Sequence, residues 1–368
     1  MTTTNNSLEK EPAMLKLGIP KELKAMEGRV SLLPSAVEEI VSSGGEVFIE
    51  TNAGLLSAYD DLSYADAGAV ICESAEALYE QAELIVKVKE PIDEDLQYLR
   101  KEHLLFCYLH LAANPFLLER LKNIGLMAIA FETVEENKQL PLLSPMSEIA
   151  GRVAVQSAAY WLHGDTVNGT GGRGVLLGGA TATERGQVTV LGAGTAGTFA
   201  IMEAAALGAN VTVFDINSQA LKRVRAIAPN ITALYPSRHA LNKTLENTDL
   251  LIGAVLIPGA AAPKLITRDM VRSMPKGSVI VDISIDQGGC IETIRATDYC
   301  APTYHDEGVI HAGVTNLPGA VPRTASAALS AALLPYVFTL LKGRLQQCPA
   351  LLKGVNVNQG ATVHSALM

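Results

Sequence analysis

The chain has little charge and few aromatic residues for its length of 368 residues. Charged residues make up 18% and aromatic residues 5%, whereas hydrophobic residues reach 48%. This balance excludes disorder over most of the chain and provides enough apolar material for large packed cores. At ~150 residues per domain, the length favours an organisation in two domains.

Basic residues are too few for a protein that binds nucleic acid through phosphate neutralisation. The 29 lysines and arginines are outnumbered by 38 aspartates and glutamates, which gives a formal net charge of −9. The basic residues also form no run along the sequence. We therefore expect no nucleic-acid partner.

Cysteines are also few, odd in number and widely spread. They are Cys72, Cys107, Cys290, Cys300 and Cys348, and no two of them form a CxxC pair. This spacing favours neither a disulfide scaffold nor a zinc site, and it is typical of proteins from a reducing cytoplasm. We predict a cytoplasmic protein without a bound metal.

The sequence shows no targeting segment and only one apolar stretch that resembles a membrane span. Residues 1–14 are polar, without an apolar core or arginines, so they predict a disordered tail and not a signal or transit peptide. Residues 324–341 carry no charge, but the stretch is short for a span and contains Pro335. We interpret it as a helix buried between domains and expect no membrane partner.

Strand-like and helix-like segments alternate along nearly the whole chain. Such alternation predicts parallel sheets covered by helices. A long apolar helix over 147–164 and a glycine-rich loop over 168–186 separate two blocks of this kind. We predict an α/β fold of two Rossmann-like, doubly wound domains joined by long helices. One domain comprises residues 15–145 with 321–368, and the other comprises residues 146–320.

The strongest local motif is a glycine-rich turn in the second block. Gly192, Gly194 and Gly197 have the G-x-G-x-x-G spacing. The turn follows the apolar strand 188–191 and opens a helix, and Asp215 ends the next strand 18 residues after Gly197. This context, more than the spacing alone, is typical of a dinucleotide-binding turn. The alternative is a glycine turn with a purely structural role.

Each group in this motif has a physical role toward a dinucleotide. Gly192 permits the tight turn, Gly194 lets the backbone approach a pyrophosphate, and Gly197 allows close packing of the helix. The helix N-terminus offers N–H groups and a positive dipole to phosphate. The Asp215 carboxylate can accept hydrogen bonds from both ribose hydroxyls and would repel a 2′-phosphate, so the sequence predicts NAD as the cofactor, not NADP.

Polar residues also stand within or after apolar strands of the predicted sheets. The alternation over 84–90 places Lys87 and Lys89 on one face, which by itself could be the solvated face of an edge strand. His110 ends the run LLFCYLH and Asp286 ends SVIVDISID, at strand ends where ligands of α/β proteins gather. Taken alone, His110 could be a structural histidine and Arg29 a surface arginine.

Longer segments carry a resemblance to a known family. They are GIPKELKAMEGRVSLLP, LIVKVKEP, YLHLA, PLLSPMSEIAGRVAVQ, GGRGVLLGG, VLGAGTAG, DLLIGAVLIPGAAAPKLIT, VIVDISIDQGGC and NLPGAVPRTAS. Together and in this order, from residue 15 to about residue 358, they resemble the alanine dehydrogenase family. That family also gave rise to the nicotinamide-binding part of proton-translocating transhydrogenase.

The resemblance implies a reaction and a set of site residues. The reaction is the reversible, NAD-dependent oxidative deamination of L-alanine to pyruvate and ammonium. Arg29 and Lys89 would contact the substrate, His110 would be the acid/base, and Asp286 would be a second catalytic group that also lies against the cofactor. Lys87 would then be structural. The remaining cofactor contacts would be Ser147, Gly192, Gly194, Thr195, Ala196, Gly197, Asp215, Val255, Leu256, Arg295 and Asn316. The family resemblance also implies a homohexamer.

The chain departs from the family pattern at three places. Ala261 stands where lysine is usual, Leu317 replaces a common methionine, and residues 180–186 (ATATERG) replace a V-P-G-V-like linker. These changes bear on cofactor affinity and loop behaviour more than on the type of reaction. The polar N-terminal extension is a further departure.

Two other classes of function and one other substrate stay open at this point. A transhydrogenase subunit would need a membrane-spanning partner. Proteins of that branch have a tryptophan-proline segment at the position where this chain has Leu109-His110-Leu111. An NAD(H)-binding sensor without activity would be expected to lose some of the predicted substrate and catalytic residues, and all four are present. Another amino acid could replace alanine as the substrate.

Overall fold

The computed structural model describes residues 14–164, 171–255 and 262–367. The chain divides into two compact units: unit 1 comprises Met1–Leu143 and Pro322–Met368, and unit 2 comprises Ser144–Val321. Both units are α/β, which confirms the predicted fold class. The functions assigned to the two segments stay predictions, and the predicted N-terminal tail lies outside the described residues except for Met14.

The elements are numbered along the chain. The strands are β1 (Leu17–Ile19), β2 (Val47–Glu50), β3 (Val70–Cys72), β4 (Leu84–Val86), β5 (Leu104–Cys107), β6 (Met127–Ala130), β7 (Gln187–Leu191), β8 (Asn210–Phe214), β9 (Ile231–Leu234), β10 (Leu250–Gly253), β11 (Val279–Asp282), β12 (Tyr304–Asp306), β13 (Val309–Ala312), β14 (Val355–Asn358) and β15 (Ala361–Thr362). The α-helices are α1 (Pro34–Ser42), α2 (Asp61–Asp66), α3 (Ala75–Gln81), α4 (Asp93–Leu96), α5 (Pro115–Ile124), α6 (Ser144–Trp161), α7 (Thr195–Ala206), α8 (Ser218–Arg225), α9 (Arg238–Leu245), α10 (Arg268–Ser273), α11 (Pro322–Leu341) and α12 (Pro349–Gly354).

Unit 1 is built on a sheet whose strands have the order β15-β14-β6-β5-β4-β1-β2-β3. The pairs from β3 to β6 are parallel, whereas β14 joins β6 and β15 in antiparallel fashion. The order of the strands along the chain reverses between β1 and β4, so this is the topological switch point of a doubly wound sheet. Ligands of such sheets bind beyond the carboxyl ends of the strands at that point.

The short strands of unit 1 are formed from nearly continuous apolar runs. Every residue of β1 and β4 is buried, as expected of parallel strands that are covered on both faces. The helices begin and end on local signals: the Asn114 side chain accepts the N–H of Leu117 at the start of α5, and Gly125 with φ of 81° follows its end. The strands predicted over 84–90 and 103–110 end earlier, at Val86 and Cys107.

The long apolar helix predicted over 324–341 is α11, and it returns the chain to unit 1. Its Ser326 and Ser330 hydroxyls accept the backbone N–H groups of Val30 and Leu33 at 2.9 and 3.0 Å. Within the described residues, α11 is the one helix that is long and apolar enough to cross a membrane, judged by length and composition only. One face of it is buried within the protein.

Unit 2 is a sheet of the order β12-β13-β11-β10-β7-β8-β9. All pairs are parallel except β12 with β13. Here the switch point lies between β7 and β10, whose carboxyl ends are followed by the glycine-rich turn and by Val255. The helix α6 packs closely on α7, because Gly151 has no side chain: a Cβ there would lie 2.3 Å from the carbonyl oxygen of Ala196.

Candidate functional site

Arg29 lies in the loop that follows β1 and is buried, with 3% of its surface exposed. The interpretation as a surface arginine is therefore wrong. Its loop is fixed on both sides: the Ser31 hydroxyl donates to the carbonyl of Val86 at the end of β4, and the N–H of Val30 donates to Ser326. These contacts place Arg29 at the switch point of unit 1.

Glu27 holds the Arg29 side chain in this position. Its carboxylate accepts Nε and Nη2 of Arg29 at 2.7 and 2.5 Å and the backbone N–H of Arg29 at 3.0 Å. Burial alone would raise the pKa of Glu27, but the hydrogen bonds and charge of Arg29 outweigh burial and hold that pKa below its ordinary value. Burial alone would lower the pKa of Arg29, and Glu27 raises it instead. Both groups are therefore charged, and the pair is rigid.

Lys87 and Lys89 follow β4 and have different surroundings. β4 pairs with β1 on one side and β5 on the other, so the alternative of an edge strand is wrong. Lys87 is buried, with its Nζ 2.5 Å from Oδ2 of Asp95 and 3.9 Å from Oε2 of Glu22. This agrees with the structural role expected of Lys87. Lys89 is half-buried, and its charge lowers the pKa of Glu27 in part, which places it near the Arg29 pair.

His110 stands three residues after β5, in a left-handed conformation with φ of 49°. Its side chain is 47% exposed, so it does not belong to a buried strand. Glu132 fixes its backbone, since one carboxylate oxygen accepts the N–H of His110 at 2.6 Å and both accept the N–H of Leu109 at 3.2 Å. The Nδ1 of His110 lies 4.0 Å from the same carboxylate. The imidazole is thus oriented and open to solvent.

Tyr108 connects the histidine to the arginine. Its ring stacks on that of His110 with centroids 5.9 Å apart, and its hydroxyl donates to the carbonyl of Leu142 at 2.6 Å. Burial raises the pKa of Tyr108, while the nearby Arg29 charge partly opposes this rise. The structure therefore gathers Arg29, Lys89 and His110 at the carboxyl ends of neighbouring strands in unit 1.

The glycine-rich turn of unit 2 has the geometry that a dinucleotide needs. Gly192 has φ of 94°, and a Cβ on Gly197 would lie 2.0 Å from the carbonyl oxygen of Gly192. A Cβ on Gly194 would meet no atom within 4 Å, so the space on that side is open. No side chain caps the N-terminus of α7, which begins at Thr195. A pyrophosphate fits here because the open side of Gly194 adjoins a positive helix end.

Asp215 follows β8 and is half-buried beside the turn. Its Oδ2 accepts the N–H of Ala193 at 2.6 Å and its Oδ1 accepts the N–H of Asn217 at 2.7 Å. Each carboxylate oxygen has a second lone pair, so the group keeps acceptor capacity for ribose hydroxyls. The guanidinium of Arg223 donates to the carbonyl of Ala193 at 2.9 Å, so Ala193 is held from both sides.

Asp286 lies in a short 3-10 turn, Ile283–Gln287, that follows β11, and its side chain is exposed. The turn is anchored by Asp282, a buried carboxylate that accepts the N–H groups of Ser284 and Cys290 at 2.9 and 2.7 Å. Burial raises the pKa of Asp282, and these N–H groups partly oppose the rise. Asp282 is thus a structural anchor, and Asp286 is the carboxylate that the turn presents outward.

The other predicted cofactor residues are spread over unit 2. Ser147 lies in the first turn of α6, and Val255 lies two residues after β10. Asn316 has a left-handed backbone with φ of 64° and begins the 3-10 turn that contains the buried Leu317. Arg295 is exposed, and its guanidinium lies 4.2 Å from the ring centroid of Tyr304. The remaining predicted cofactor contacts are Thr195 and Ala196, which are the first two residues of α7, and Leu256. Leu256 lies outside the described residues, as does Ala261.

Sequence reasoning missed the glutamates that hold the site in unit 1. Glu22, Glu27 and Glu132 each accept backbone N–H groups beside a predicted substrate or catalytic residue. Of these three glutamates, Glu27 could have been found from the sequence, because it stands only two residues before Arg29. Among the described residues, no cluster of three or more histidines, cysteines or carboxylates could hold a metal ion.

Comparisons with known proteins cover both units. The family model described as alanine dehydrogenase/PNT, N-terminal domain, matches residues 18–150, and the C-terminal domain model matches residues 154–365. The alanine dehydrogenase of Methanococcus maripaludis is 44% identical over 358 residues, which cover 95% of this chain and 95% of that protein. A solved L-alanine dehydrogenase has a TM-score of 0.91 at 46% identity and covers 96% of this chain and 98% of its own. A transhydrogenase structure from Sinorhizobium meliloti has a TM-score of 0.82 at 27% identity and covers 95% of this chain and 99% of its own.

Proposed function

Since the chain belongs to the alanine dehydrogenase/PNT family, we propose that it catalyses the reversible, NAD-dependent oxidative deamination of L-alanine to pyruvate and ammonium. The observation that carries the proposal is the gathering of Arg29, Lys89 and His110 at the switch point of unit 1. A small 2-oxo acid offers a carboxylate, a carbonyl and a site for proton exchange, and these three side chains match those needs.

Arg29 and Lys89 bind the substrate. The guanidinium of Arg29 is a planar donor for a carboxylate, and Glu27 keeps it in one orientation. Because Glu27 also balances the charge of Arg29, the positive potential that attracts the anion depends strongly on Lys89. The compact ammonium of Lys89 polarises the carbonyl of pyruvate.

His110 and Asp286 handle protons and water. An imidazole accepts or donates a proton near neutral pH, so His110 serves as base when alanine is oxidised and as acid in the reverse direction. Its exposed side chain exchanges protons with solvent. Asp286 orients the water or ammonia that reacts at the substrate carbon.

Unit 2 binds the cofactor. NAD, when bound, supplies the acceptor for the hydride that leaves the alanine Cα. The open side of Gly194 and the N-terminus of α7 bind its pyrophosphate, and Asp215 binds the adenosine ribose and disfavours a 2′-phosphate. Further cofactor contacts are proposed for Ser147, Val255, Arg295 and Asn316, and for Leu256, which lies outside the described residues.

We further propose that the protein is a cytoplasmic homohexamer. The family resemblance supports the hexamer, and so do apolar side chains that unit 1 leaves exposed, namely Leu55, Leu56 and Leu62 at 53%, 68% and 66%. Light scattering at micromolar concentration should report a hexamer. A monomer under the same conditions would exclude a stable assembly.

The activity is tested by following NADH oxidation with pyruvate and ammonium, beside reactions with glyoxylate and 2-oxobutyrate. We expect the highest kcat/KM with pyruvate and a strict requirement for ammonium. Oxidation of NADH without ammonium would indicate a hydroxy-acid dehydrogenase instead. Tight NADH binding with no turnover on any of the three acids would favour a sensor.

A further inference from the structure

The segment Lys87–Glu90, which carries Lys89, lies just beyond the last residue of β4. On one side β5 still pairs with it, since the N–H of Lys87 donates to Phe106 and the carbonyl of Val88 accepts the N–H of Tyr108. On the other side β1 has already ended at Ile19. The N–H groups that point to that side therefore need another acceptor, because buried backbone donors are almost always paired.

Glu22, three residues after β1, supplies this acceptor. Its buried carboxylate accepts the N–H of Val88 at 2.5 Å through Oε1 and the N–H of Lys89 at 3.3 Å through Oε2. The Glu22 side chain thus supplies the hydrogen-bond acceptors that a neighbouring strand would otherwise provide for two consecutive residues. The second of these residues is the lysine that is proposed to bind the substrate.

The carboxylate of Glu22 is itself held in place. Lys87 lies 3.9 Å from its Oε2 and forms a closer pair with Asp95, whose Oδ1 accepts the hydroxyl of Tyr79 at 3.1 Å. The neighbouring residue Glu90 is paired with Lys24. The segment is consequently anchored through its backbone at residues 88 and 89 and through side chains at both of its ends.

We propose that Glu22 is a positioning residue for substrate binding, which fixes the backbone of Lys89 and thereby the place of its ammonium group. The inference rests on the proposed function, because it takes Lys89 as the group that binds the 2-oxo acid. Displacing a binding group weakens the contact that it makes with the ligand, and the residues proposed to bind the nucleotide stand on other elements of the chain.

The charge of Glu22 gives the proposal a second readout. Burial raises the pKa of Glu22 to about 7, while the charge of Lys87 partly opposes this and Glu27 and Asp95 add to it. When Glu22 is protonated, one of its carboxyl oxygens carries a hydrogen and becomes a donor, whereas the N–H groups of Val88 and Lys89 both need acceptors. The KM for pyruvate should therefore rise as the pH falls through about 7, and a variant with an uncharged side chain at this position should lose that part of the pH dependence.

The test uses Glu22→Gln in the full-length protein, with Glu83→Gln as the matched control. Glu83 also accepts a backbone N–H, that of Lys16 at 2.9 Å, but it lies at the opposite end of β4. At pH 8 with saturating NADH and ammonium, the KM for pyruvate should rise about tenfold in Glu22→Gln, as expected when a charge-assisted hydrogen bond is lost. kcat and the KM for NADH should change by less than about threefold, and Glu83→Gln should behave as wild type.

Lys89→Ala separates this inference from the proposed function. If Lys89→Ala raises the KM for pyruvate and Glu22→Gln does not, Glu22 has no positioning role. If the wild type does not use pyruvate, the proposed function is wrong. If Lys89→Ala leaves the KM for pyruvate unchanged, the substrate-binding role of Lys89 is wrong, and the role proposed for Glu22 is overturned with it. Should Glu22→Gln not fold, Glu22→Asp keeps the charge with a shorter reach, and an unchanged KM for pyruvate in that variant would overturn the proposal.

Discussion

Replacing Glu27 by glutamine should destabilise unit 1, because it removes the carboxylate that pairs with the buried guanidinium of Arg29. Arg29 is 3% exposed, and Glu27 accepts three of its N–H groups at 2.5–3.0 Å. Removing one partner of such a buried pair costs about 3–5 kcal/mol. Solvent screens this pair little, since both side chains are buried.

The effect should depend on pH in a defined direction. The pKa of Glu27 is lowered in the folded state, so its contribution is fully present above the ordinary glutamate value of 4.5 and is lost as the pH falls through the folded-state pKa. The difference in the free energy of unfolding between wild type and Glu27→Gln should therefore be full near pH 7 and should shrink below pH 4.5.

Urea unfolding followed by far-UV circular dichroism measures this difference. Fluorescence of the single tryptophan is a useful comparison, because Trp161 lies in α6 of unit 2 and reports the unit that does not contain Glu27. The double variant Glu27→Gln/Arg29→Met should be more stable than Glu27→Gln alone, since it also removes the buried positive charge that had lost its paired carboxylate. Equal unfolding midpoints for wild type and Glu27→Gln would refute the reasoning.

Three further predictions concern activity and cofactor binding. His110→Ala should slow both reaction directions by about 10²–10⁴ with NADH affinity unchanged by fluorescence titration, and near-wild-type turnover would remove His110 from the mechanism. Asp215→Ser should lower the ratio of kcat/KM for NADH to kcat/KM for NADPH, because the repulsion of a 2′-phosphate disappears. A wild type that uses both cofactors equally well would contradict the predicted preference for NAD. Gly194→Ala should fold normally, since its Cβ meets no atom within 4 Å, but should bind NADH at least about tenfold more weakly, whereas unchanged affinity would mean that no phosphate approaches this residue.

Features that depend on neighbouring residues in the chain could be predicted from the sequence. The glycine-rich turn, the strand before it and Asp215 after the next strand lie within 29 residues, and their structure follows from local backbone requirements. The alternation of strands and helices likewise predicted the two doubly wound sheets, and the family resemblance was confirmed by the comparisons.

Features that depend on distant parts of the chain could not be predicted in this way. The loop that carries the buried Arg29 is held by α11, almost 300 residues later, whose Ser326 accepts the N–H of Val30, and no local pattern indicates that contact. The two-residue alternation of Lys87 and Lys89 suggested one face of a strand, but β4 ends at Val86 and the two lysines have different surroundings. The antiparallel addition of β14 to β6 also joins segments that are far apart in sequence.

Oxidation of L-alanine labelled with deuterium at Cα tests the central claim most directly. Incubation with NAD, followed by mass spectrometry of the nucleotide and assays of both products, should show deuterium in the NADH formed. Pyruvate and ammonium should appear in amounts equal to that NADH. Unlabelled NADH, or NADH formed without equal amounts of pyruvate and ammonium, would contradict the account.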